Sequence, residues 1–357
     1  MWKASYPQVW FTYGPQTTKD DVIGQMFEAG ATGARLTFSY GTPELQCERA
    51  TQLRDVGRRV GVKPYLVADL QGEKCRFSKI DGVDEIPVRQ DEPILITSKE
   101  IELTHRPIHV PIQIPRYLDA LDIDDVIVEG DGALLLRVIR KGDDGVLCVP
   151  DRDGALHPGR GLLVRKPSFR PGAMTEKDRA DVQAIDRSGD LFDAIAVSFV
   201  GDVQDIREGR KMMTKNGREL SVIAKIETEL GVRNLHSISK EADGLMAARG
   251  DLALTTHWIN LYSQVSEISR VAKEARIPWI LATQIVEGLE HFVIPTRAEI
   301  CDLAHWVSEG AAGIMLSYET AFGPKPVEAV KTVRELVDCY SSTGTGGTLN
   351  NSGSSKS

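Results

Sequence analysis

Short runs of apolar and β-branched residues recur along the chain, and most of them are followed by apolar positions at helical spacing. Eight runs of six to eight residues predict buried strands, because each ends in polar or small residues. They are Val9–Gly14, Gly33–Phe38, Pro64–Leu70, Asp193–Phe199, Ser221–Glu227, Gly244–Asp251, Pro278–Gln284 and Ala312–Ser317. Helical patterns include Thr18–Glu28, Pro43–Val60, Glu176–Arg187, Val203–Lys215, Leu261–Ala275 and Thr296–Glu309. Strands alternating with helices indicate parallel βαβ units.

This alternation stops between the third and the fourth run. From Ser78 to about Arg165 the chain lacks a good helical pattern and carries β-type runs separated by Gly-Asp, Asp-Gly and Pro. The runs are Pro93–Ser98, Ile108–Ile114, Asp125–Val128, Ala133–Ile139 and Gly145–Val149. The pattern predicts a small, separate β domain over residues 78–165.

The rest of the chain has the length of one large barrel. Residues 1–77 and 166–340 hold the eight strand–helix units and match the roughly 250 residues of a typical (β/α)₈ barrel. We therefore predict an α/β fold, a (β/α)₈ TIM barrel with a small β-barrel lid domain inserted after the third strand. Residues 341–357 are almost all Ser, Thr, Gly and Asn, so we expect a disordered tail.

Composition and charge exclude several classes of function. The 357 residues carry a net charge of −8, with 41% hydrophobic and 26% charged residues, as in globular proteins. There is no basic cluster to bind a phosphate backbone and no run of about 20 apolar residues. The five cysteines are scattered and form no C-x-x-C pair. We therefore expect a cytoplasmic protein with reduced thiols, with no nucleic acid or membrane as partner.

Polar residues end the predicted barrel strands, where a (β/α)₈ barrel gathers its active site. Lys225 and Glu227 lie two apart in one strand, so both side chains point into the barrel mouth. The sixth run ends in Arg249-Gly250-Asp251 and adds a second carboxylate, and two carboxylates with a shared aim suit Mg²⁺ or Mn²⁺. A Lys225–Glu227 salt bridge that only closes the barrel is the alternative. Polar residues at the other strand ends weaken it: Arg35, Ser39, Asp69, Arg76, Ser198, Thr283, Gln284, Ser317 and Glu319.

Several of these segments resemble motifs of the pyruvate kinase family. They are ARLTFSYG at 34–41, ADLQG at 68–72, AKIE at 224–227, MAARGDL at 246–252, ATQ at 282–284, PTRAE at 295–299 and MLSYETA at 315–321. The ordered set spans roughly residues 9–336. The family's barrel and its β lid after the third strand agree with the organisation predicted above.

The resemblance implies a reaction and a role for each matching residue. The expected activity is Mg²⁺-dependent transfer of a phosphoryl group between phosphoenolpyruvate and ADP or a substituted acceptor, with pyruvate as the other product. Glu227 and Asp251 would hold the metal, and Lys225 would stabilise the transferring phosphoryl group and the enolate oxygen. Arg35 would bind the phosphate, and Thr283 would lie near the carbon that is protonated. The resemblance places further residues at the substrate: Ala248, Arg249, Gly250, Ser317 and Glu319.

A monovalent-cation site is the next feature that the resemblance implies. Many family members hold K⁺ with Asn, Ser, Asp and Thr, at positions that are Thr37, Ser39, Asp69 and Leu70 here. Lys74 falls where K⁺-independent members carry a lysine, so we expect no K⁺ requirement; the alternative is a solvated lysine at the rim. The residues expected on this nucleotide or cation side are Thr37, Ser39, Asp69, Lys74, Arg76 and Arg160.

Departures from the family pattern cluster on the nucleotide side. Thr37 and Tyr40 replace an Asn and a His, and Tyr318 replaces a Gly. Three hypotheses follow: a phosphotransferase with a shifted acceptor or donor, a metal-dependent pyruvate or phosphoenolpyruvate lyase or aldolase-type enzyme, and a catalytically silent regulatory relative. The family's C-terminal domain has no counterpart in the sequence, so we expect its effector regulation to be absent. Aromatic residues such as Trp258 favour a homodimer through the barrel helices.

Overall fold

The computed structural model describes residues 7–99, 107–213 and 220–341. The strands are β1 (Gln8–Thr12), β2 (Gly33–Thr37), β3 (Tyr65–Asp69), β4 (Ile86–Val88), β5 (Ile94–Thr97), β6 (Ile108–Pro111), β7 (Val126–Glu129), β8 (Leu134–Gly142), β9 (Gly145–Pro150), β10 (Gly154–Leu156), β11 (Leu162–Arg165), β12 (Ala194–Val197), β13 (Ser221–Ile226), β14 (Gly244–Ala248), β15 (Trp279–Ala282) and β16 (Gly313–Met315). The helices are α1 (Asp20–Glu28), α2 (Pro43–Arg59), α3 (Arg116–Ala120), α4 (Glu176–Arg187), α5 (Val203–Met212), α6 (Glu229–Arg233), α7 (Leu235–Ile238), α8 (Arg249–Thr255), α9 (Leu261–Ala275), α10 (Arg297–Ser308), α11 (Tyr318–Ala321) and α12 (Pro326–Ser341).

Eight parallel strands close into a barrel in the order β1, β2, β3, β12, β13, β14, β15 and β16. Each of the eight predicted runs overlaps one of these strands, so the predicted (β/α)₈ barrel is confirmed. Buried side chains such as Trp10, Ile223 and Met246 fill its interior. Because alternate residues of a strand share a face, Lys225 continues the inward face of Ile223 at the carboxyl end of β13.

Polar residues begin the outer helices where the sequence predicts them. Thr175 and Asp178 form a reciprocal capping box at the start of α4, and Thr296 and Glu299 form another at α10. Each box satisfies backbone N–H groups that a helix start leaves without partners. The capping residues therefore fix where α4 and α10 begin.

The sixth run differs from its prediction. β14 ends at Ala248, and Arg249, Gly250 and Asp251 form the first turn of α8. Asp251 thus leaves the strand alternation, and the start of the helix, not the strand, sets its direction.

The lid is a six-stranded sheet in the order β11, β7, β8, β9, β5 and β6, beside the pair β4 and β10. Arg76 bridges to Gly161 next to β11, and Phe77 bridges to Ile112 next to β6. The segment that enters the lid therefore joins the two outer strands and curls the sheet. The predicted β lid is confirmed, but the expectation of no helix is wrong at α3, a turn of five residues that is too short for a hydrophobic period.

Four other expectations are tested only in part or not at all. The lid cluster includes Cys75 and Phe169, just outside the predicted limits, and the division at 77/78 and 165/166 stays a prediction. Residues 342–357 of the predicted disordered tail lie outside the described residues. Within the described ranges, no helix is both long and apolar enough to cross a bilayer. Trp258 is 66% exposed, and the homodimer stays a prediction.

Candidate active site

A cavity of about 230 Å³ opens at the carboxyl ends of the barrel strands. The predicted site residues that line it are Arg35, Thr37, Ser39, Asp69, Lys74, Arg76, Lys225, Asp251 and Ser317. A second cavity of about 610 Å³ is lined by Arg249, Gly250 and Thr283 and shares Ser317 with the first. The structure thus brings most of the predicted residues to two adjoining cavities at one end of the barrel.

Lys225 is the centre of the charged cluster at the floor of the first cavity. Its Nζ lies 3.0 Å from Asp69 Oδ1 and 3.1 Å from Glu227 Oε1. It also donates to Ser198 Oγ at 2.7 Å. Burial acts to lower the pKa of Lys225, but the charges of Asp69 and Glu227 outweigh burial and raise that pKa. The side chain is therefore a fixed ammonium, only 10% exposed.

Arg35 places a second cation beside the same carboxylate. Its Nε donates to Asp69 Oδ2 at 2.6 Å, and its Nη1 lies 3.4 Å from the Thr12 hydroxyl. Burial acts to raise the pKa of Asp69, but Arg35 and Lys225 outweigh it and lower that pKa. Asp69 therefore remains ionised between two cations and fixes their separation across the floor.

Glu227 and Asp251, the predicted metal ligands, have different partners. Glu227 Oε2 accepts from the Phe199 backbone N–H at 2.7 Å. Lys74 Nζ lies 2.8 Å from Asp251 Oδ1 and 3.2 Å from Oδ2. Burial acts to raise the pKa of Asp251, but Lys74 outweighs it and lowers that pKa. The Lys225–Glu227 salt bridge is thus present, but it is one ion pair of a larger charged network that also includes Asp69.

The carboxylates fit a divalent cation. Burial and the negative charge of Asp251 raise the pKa of Glu227, and Lys225 opposes them only in part. The positive charge beside this carboxylate is therefore not enough to balance its ionised form. In the part of the chain that the structure describes, no three His, Cys, Asp or Glu side chains form a ready protein metal site. Mg²⁺ is commonly held by one or two carboxylates together with substrate oxygens and water. Glu227 and Asp251 match that need in number and in kind.

Two residues that the resemblance places at the substrate, Arg249 and Glu319, have backbone groups among their partners within the protein. The Arg249 guanidinium donates to the carbonyls of Thr283 and Gln284 at 2.6 and 2.9 Å. Glu319 Oε1 accepts from the Ile285 N–H at 2.8 Å. Neither side chain lines the first cavity.

Two more of the predicted site residues, Ala248 and Arg160, are also not among the partners of Lys225 in the charged cluster. Ala248 belongs to the inner barrel cluster. Arg160 lies in the lid, 4.0 Å from Glu129, with half of its side chain exposed, and it is not among the residues around the first cavity. Ala248 and Arg160 are thus not among the residues that line the first cavity.

Several lining residues were missed or left without a role by sequence reasoning. Ser198 was noted only as a polar strand end, and its bond to Lys225 depends on neighbouring strands. Tyr40, Tyr318 and Phe322 line the mouth and are 61%, 51% and 49% exposed, with Tyr318 stacked on Phe322. Tyr40 and Tyr318 depart from the family motifs, so the sequence marks them as unusual, whereas Phe322 lies outside every motif.

Comparison with known proteins agrees with this geometry. Residues 7–330 match the model of the pyruvate kinase barrel domain. A pyruvate kinase of Thermococcus litoralis is 33% identical over 325 residues, which cover 91% of this chain and 67% of the relative. One from Geobacillus stearothermophilus is 32% identical over 332 residues, 91% of this chain and 55% of the relative. The chain thus spans between about half and two thirds of these relatives, and the matched range includes every strand of the barrel and lid and every residue of the charged floor. The chain belongs to the pyruvate kinase family.

Proposed function

We propose that the chain is a divalent-metal-dependent phosphotransferase that moves a phosphoryl group between phosphoenolpyruvate and ADP or a substituted acceptor. The observation that carries this proposal is the Lys225 ammonium, held at the cavity floor by Asp69, Glu227 and Ser198. Phosphoryl transfer needs positioned positive charge more than covalent help from the protein. A buried ammonium with three fixed partners supplies that charge without reorganisation.

Arg35 and Lys225 together suit a phosphoryl group. Both cations contact Asp69 and line the same cavity, so phosphoryl oxygens can meet a guanidinium on one side and an ammonium on the other. A guanidinium offers paired N–H donors with the spacing of phosphate oxygens. We assign phosphate binding to Arg35 and stabilisation of the transferring group and the enolate oxygen to Lys225.

Glu227 and Asp251 would hold Mg²⁺ or Mn²⁺, which when bound neutralises charge on the phosphoryl and enolate oxygens. Transfer breaks the bond between phosphorus and the enol oxygen and forms one between phosphorus and the acceptor oxygen. The enolate then takes a proton at carbon to give pyruvate. We place Thr283 near that carbon, because Thr283 lines the second cavity, which shares Ser317 and Tyr318 with the first.

Lys74 supplies a further positive charge at this site. Its ammonium contacts both oxygens of Asp251, with 31% of the side chain exposed. A tethered ammonium can replace a monovalent cation in the charge balance, so we propose that the enzyme does not require K⁺. This ion pair argues against a merely solvated lysine.

The reaction is tested by ³¹P and ¹H NMR of the chain with phosphoenolpyruvate and Mg²⁺ in K⁺-free buffer, with and without ADP. ATP and pyruvate formed together support the proposal, as does phosphorylation of another nucleoside diphosphate. A product with a new or broken carbon–carbon bond would overturn it in favour of a lyase or aldolase. Phosphoenolpyruvate left intact with every acceptor would overturn it in favour of a silent relative.

A further inference from the structure

The turn that follows β15 has an unusual backbone. Thr283 has φ +73° and Gln284 has φ +54°, so two successive residues with side chains adopt the left-handed region. For a β-branched residue such as Thr283 this conformation is a clear outlier. Backbone of this kind persists only where surrounding contacts impose it.

Arg249 holds the carbonyl side of this turn. Its Nε lies 3.3 Å from the Ala282 carbonyl oxygen, and its Nη2 lies 2.6 Å and 2.9 Å from those of Thr283 and Gln284. Its Nη1 contacts Asp302 at 2.5 Å. Asp302 in turn accepts from the Trp306 indole N–H at 2.8 Å. The guanidinium is therefore anchored on α10 and has its donors committed to the turn.

Glu319 holds the amide side. Its Oε1 accepts from the N–H groups of Ile285 and Val286 at 2.8 and 3.2 Å, and its Oε2 accepts from the Ser317 N–H at 2.7 Å. The side chain is 3% exposed. A cation thus fixes the carbonyls of residues 282–284, and an anion fixes the amides that follow them.

Gly250 completes the setting of the threonine. A Cβ at Gly250 would lie 3.1 Å from Thr283 Cγ2, so the glycine leaves the space that the threonine side chain uses. The Thr283 side chain, in the turn after β15, thus packs against the first turn of α8.

We propose that Arg249 and Glu319 are positioning residues that clamp the turn after β15 from both sides and so aim Thr283 at the reacting carbon. This rests on the proposed function, in which Thr283 lies near the carbon that is protonated. The clamp does not depend on the direct substrate contact that the resemblance implies for both side chains. It acts on the geometry of one residue and not on substrate affinity.

The kinetic test uses Arg249→Lys and Glu319→Gln, alone and combined with Thr283→Ala. We expect each single variant to lower kcat about 10- to 100-fold, because small misplacements at a reacting centre are costly, with KM for phosphoenolpyruvate changed less than threefold. In the Thr283→Ala background the same changes should alter kcat less than threefold, because the group they position is gone. An equal loss in both backgrounds, or a kcat retained within threefold, would overturn the proposal.

Matched controls lie at the opposite end of the barrel. Arg54 donates to the carbonyls of Pro64 and Leu191 and to Asp193, which also accepts from the Leu66 N–H. Arg54→Lys and Asp193→Asn therefore weaken guanidinium–carbonyl and carboxylate–amide bonds like those of the clamp, but at the amino ends of β3 and β12. We expect these variants to lower thermal stability and to leave kcat unchanged.

A second measurement does not depend on activity. Threonine-methyl NMR of the full chain, with the Thr283 signal identified from Thr283→Ala, should show that signal shifted or broadened in Arg249→Lys and Glu319→Gln but not in Arg54→Lys. An unmoved signal in the clamp variants would overturn the proposal. If the parent enzyme transfers no phosphoryl group, the proposed function fails, while this comparison still decides whether the clamp sets the conformation of Thr283.

Discussion

The floor and the mouth of the first cavity are built in opposite ways. At the floor, Lys225 contacts both Asp69 and Glu227, and all three residues are at most 8% exposed. At the mouth, Tyr40 and Tyr318 are more than half exposed. Removing one member of a buried charged network leaves its partners uncompensated, whereas an exposed side chain can be replaced at little cost to its neighbours.

The floor and the mouth also differ in how closely they match the family's sequence motifs. The floor carries the family's motif residues around Lys225, and the mouth carries two of the departures, Tyr40 and Tyr318. The departure at Thr37 lies beside Asp69, its partner in the register of β2 and β3. We infer that the chemistry at the floor and the choice of acceptor at the mouth are separable properties of this barrel.

Replacing Lys225 by Met should disrupt the charged network at the floor, because it removes the ion pairs with Asp69 and Glu227. We expect kcat to fall by roughly 10²–10³ or more, the usual result of losing a preorganised charge partner, and stability to fall by about 3–5 kcal/mol, because Asp69 and Glu227 stay buried without their cation. Steady-state kinetics and urea unfolding measure the two effects. Lys177→Met is the control, since Lys177 pairs with buried Asp181 outside the cavity. Retained turnover in Lys225→Met would refute the role of this residue.

Replacing Glu227 by Gln should weaken metal binding at the floor. The variant keeps the shape of the side chain and loses its charge, so we expect kcat to fall about 10²–10³-fold and Mn²⁺ affinity to fall about tenfold or more. Electron paramagnetic resonance titration with Mn²⁺ measures affinity without turnover. Glu129→Gln provides a comparison with a buried carboxylate of the lid. Equal Mn²⁺ affinity in Glu227→Gln and the parent would contradict the assignment.

Replacing Lys74 by Met tests the cation between floor and mouth. We expect the parent to be fully active without K⁺ and the variant to lose about fivefold in kcat/KM, since a partly exposed ion pair contributes about 1 kcal/mol. Added K⁺ should restore part of the loss. The measurement is a K⁺ titration in tetramethylammonium buffer. A parent enzyme that needs K⁺ for activity would refute the substitution of the cation by Lys74.

Replacing Tyr318 by Gly tests the mouth alone. The exposed ring lines the cavity and stacks on Phe322 at 5.3 Å between ring centroids, but it lies outside the charged cluster. We expect KM for the acceptor to rise severalfold, while KM for phosphoenolpyruvate and Mn²⁺ affinity stay within about twofold. A loss of kcat comparable to that of Lys225→Met would show that floor and mouth are not separable.

The smallest expected effect concerns Glu287 in the adjoining cavity. Burial and the neighbouring Glu319, Glu290 and Glu299, opposed by a bond from Gln284, raise the pKa of Glu287 from 4.5 to about 7. The folded state therefore binds this proton more tightly than the unfolded chain, and its contribution to stability is lost as pH rises from about 4.5 to about 7. Glu287→Gln should remove that loss and raise Tm at pH 8 by roughly 2 °C or less. Scanning calorimetry at pH 5 and pH 8 measures the difference, and parallel pH profiles in both proteins would contradict it.

Local patterns predicted the barrel and much of its floor. The β runs located all eight strands, and the two-residue spacing in β13 placed Lys225 and Glu227 together. These features depend on residues near in sequence and on the shared edge of parallel strand ends.

Other features depend on contacts between distant segments. The start of α8 at Arg249 decides where Asp251 points, and no pattern in the strand marks it. The partners of Arg249 and Glu319 are backbone groups of another loop, which sequence spacing does not reveal. The substrate contacts that the resemblance implied for these two side chains stay a prediction, beside the clamp proposed above.

The most direct test of this separation measures a reaction that needs only the residues of the floor and no phosphoryl acceptor. If the floor stabilises the enolate of pyruvate, the methyl protons of pyruvate should exchange with D₂O in the presence of Mg²⁺, and ¹H NMR measures that rate. We predict exchange with the parent and with Tyr318→Gly at similar rates, and a loss of about 10²-fold or more in Lys225→Met. Absence of exchange with the parent, or equal exchange in Lys225→Met, would contradict the account.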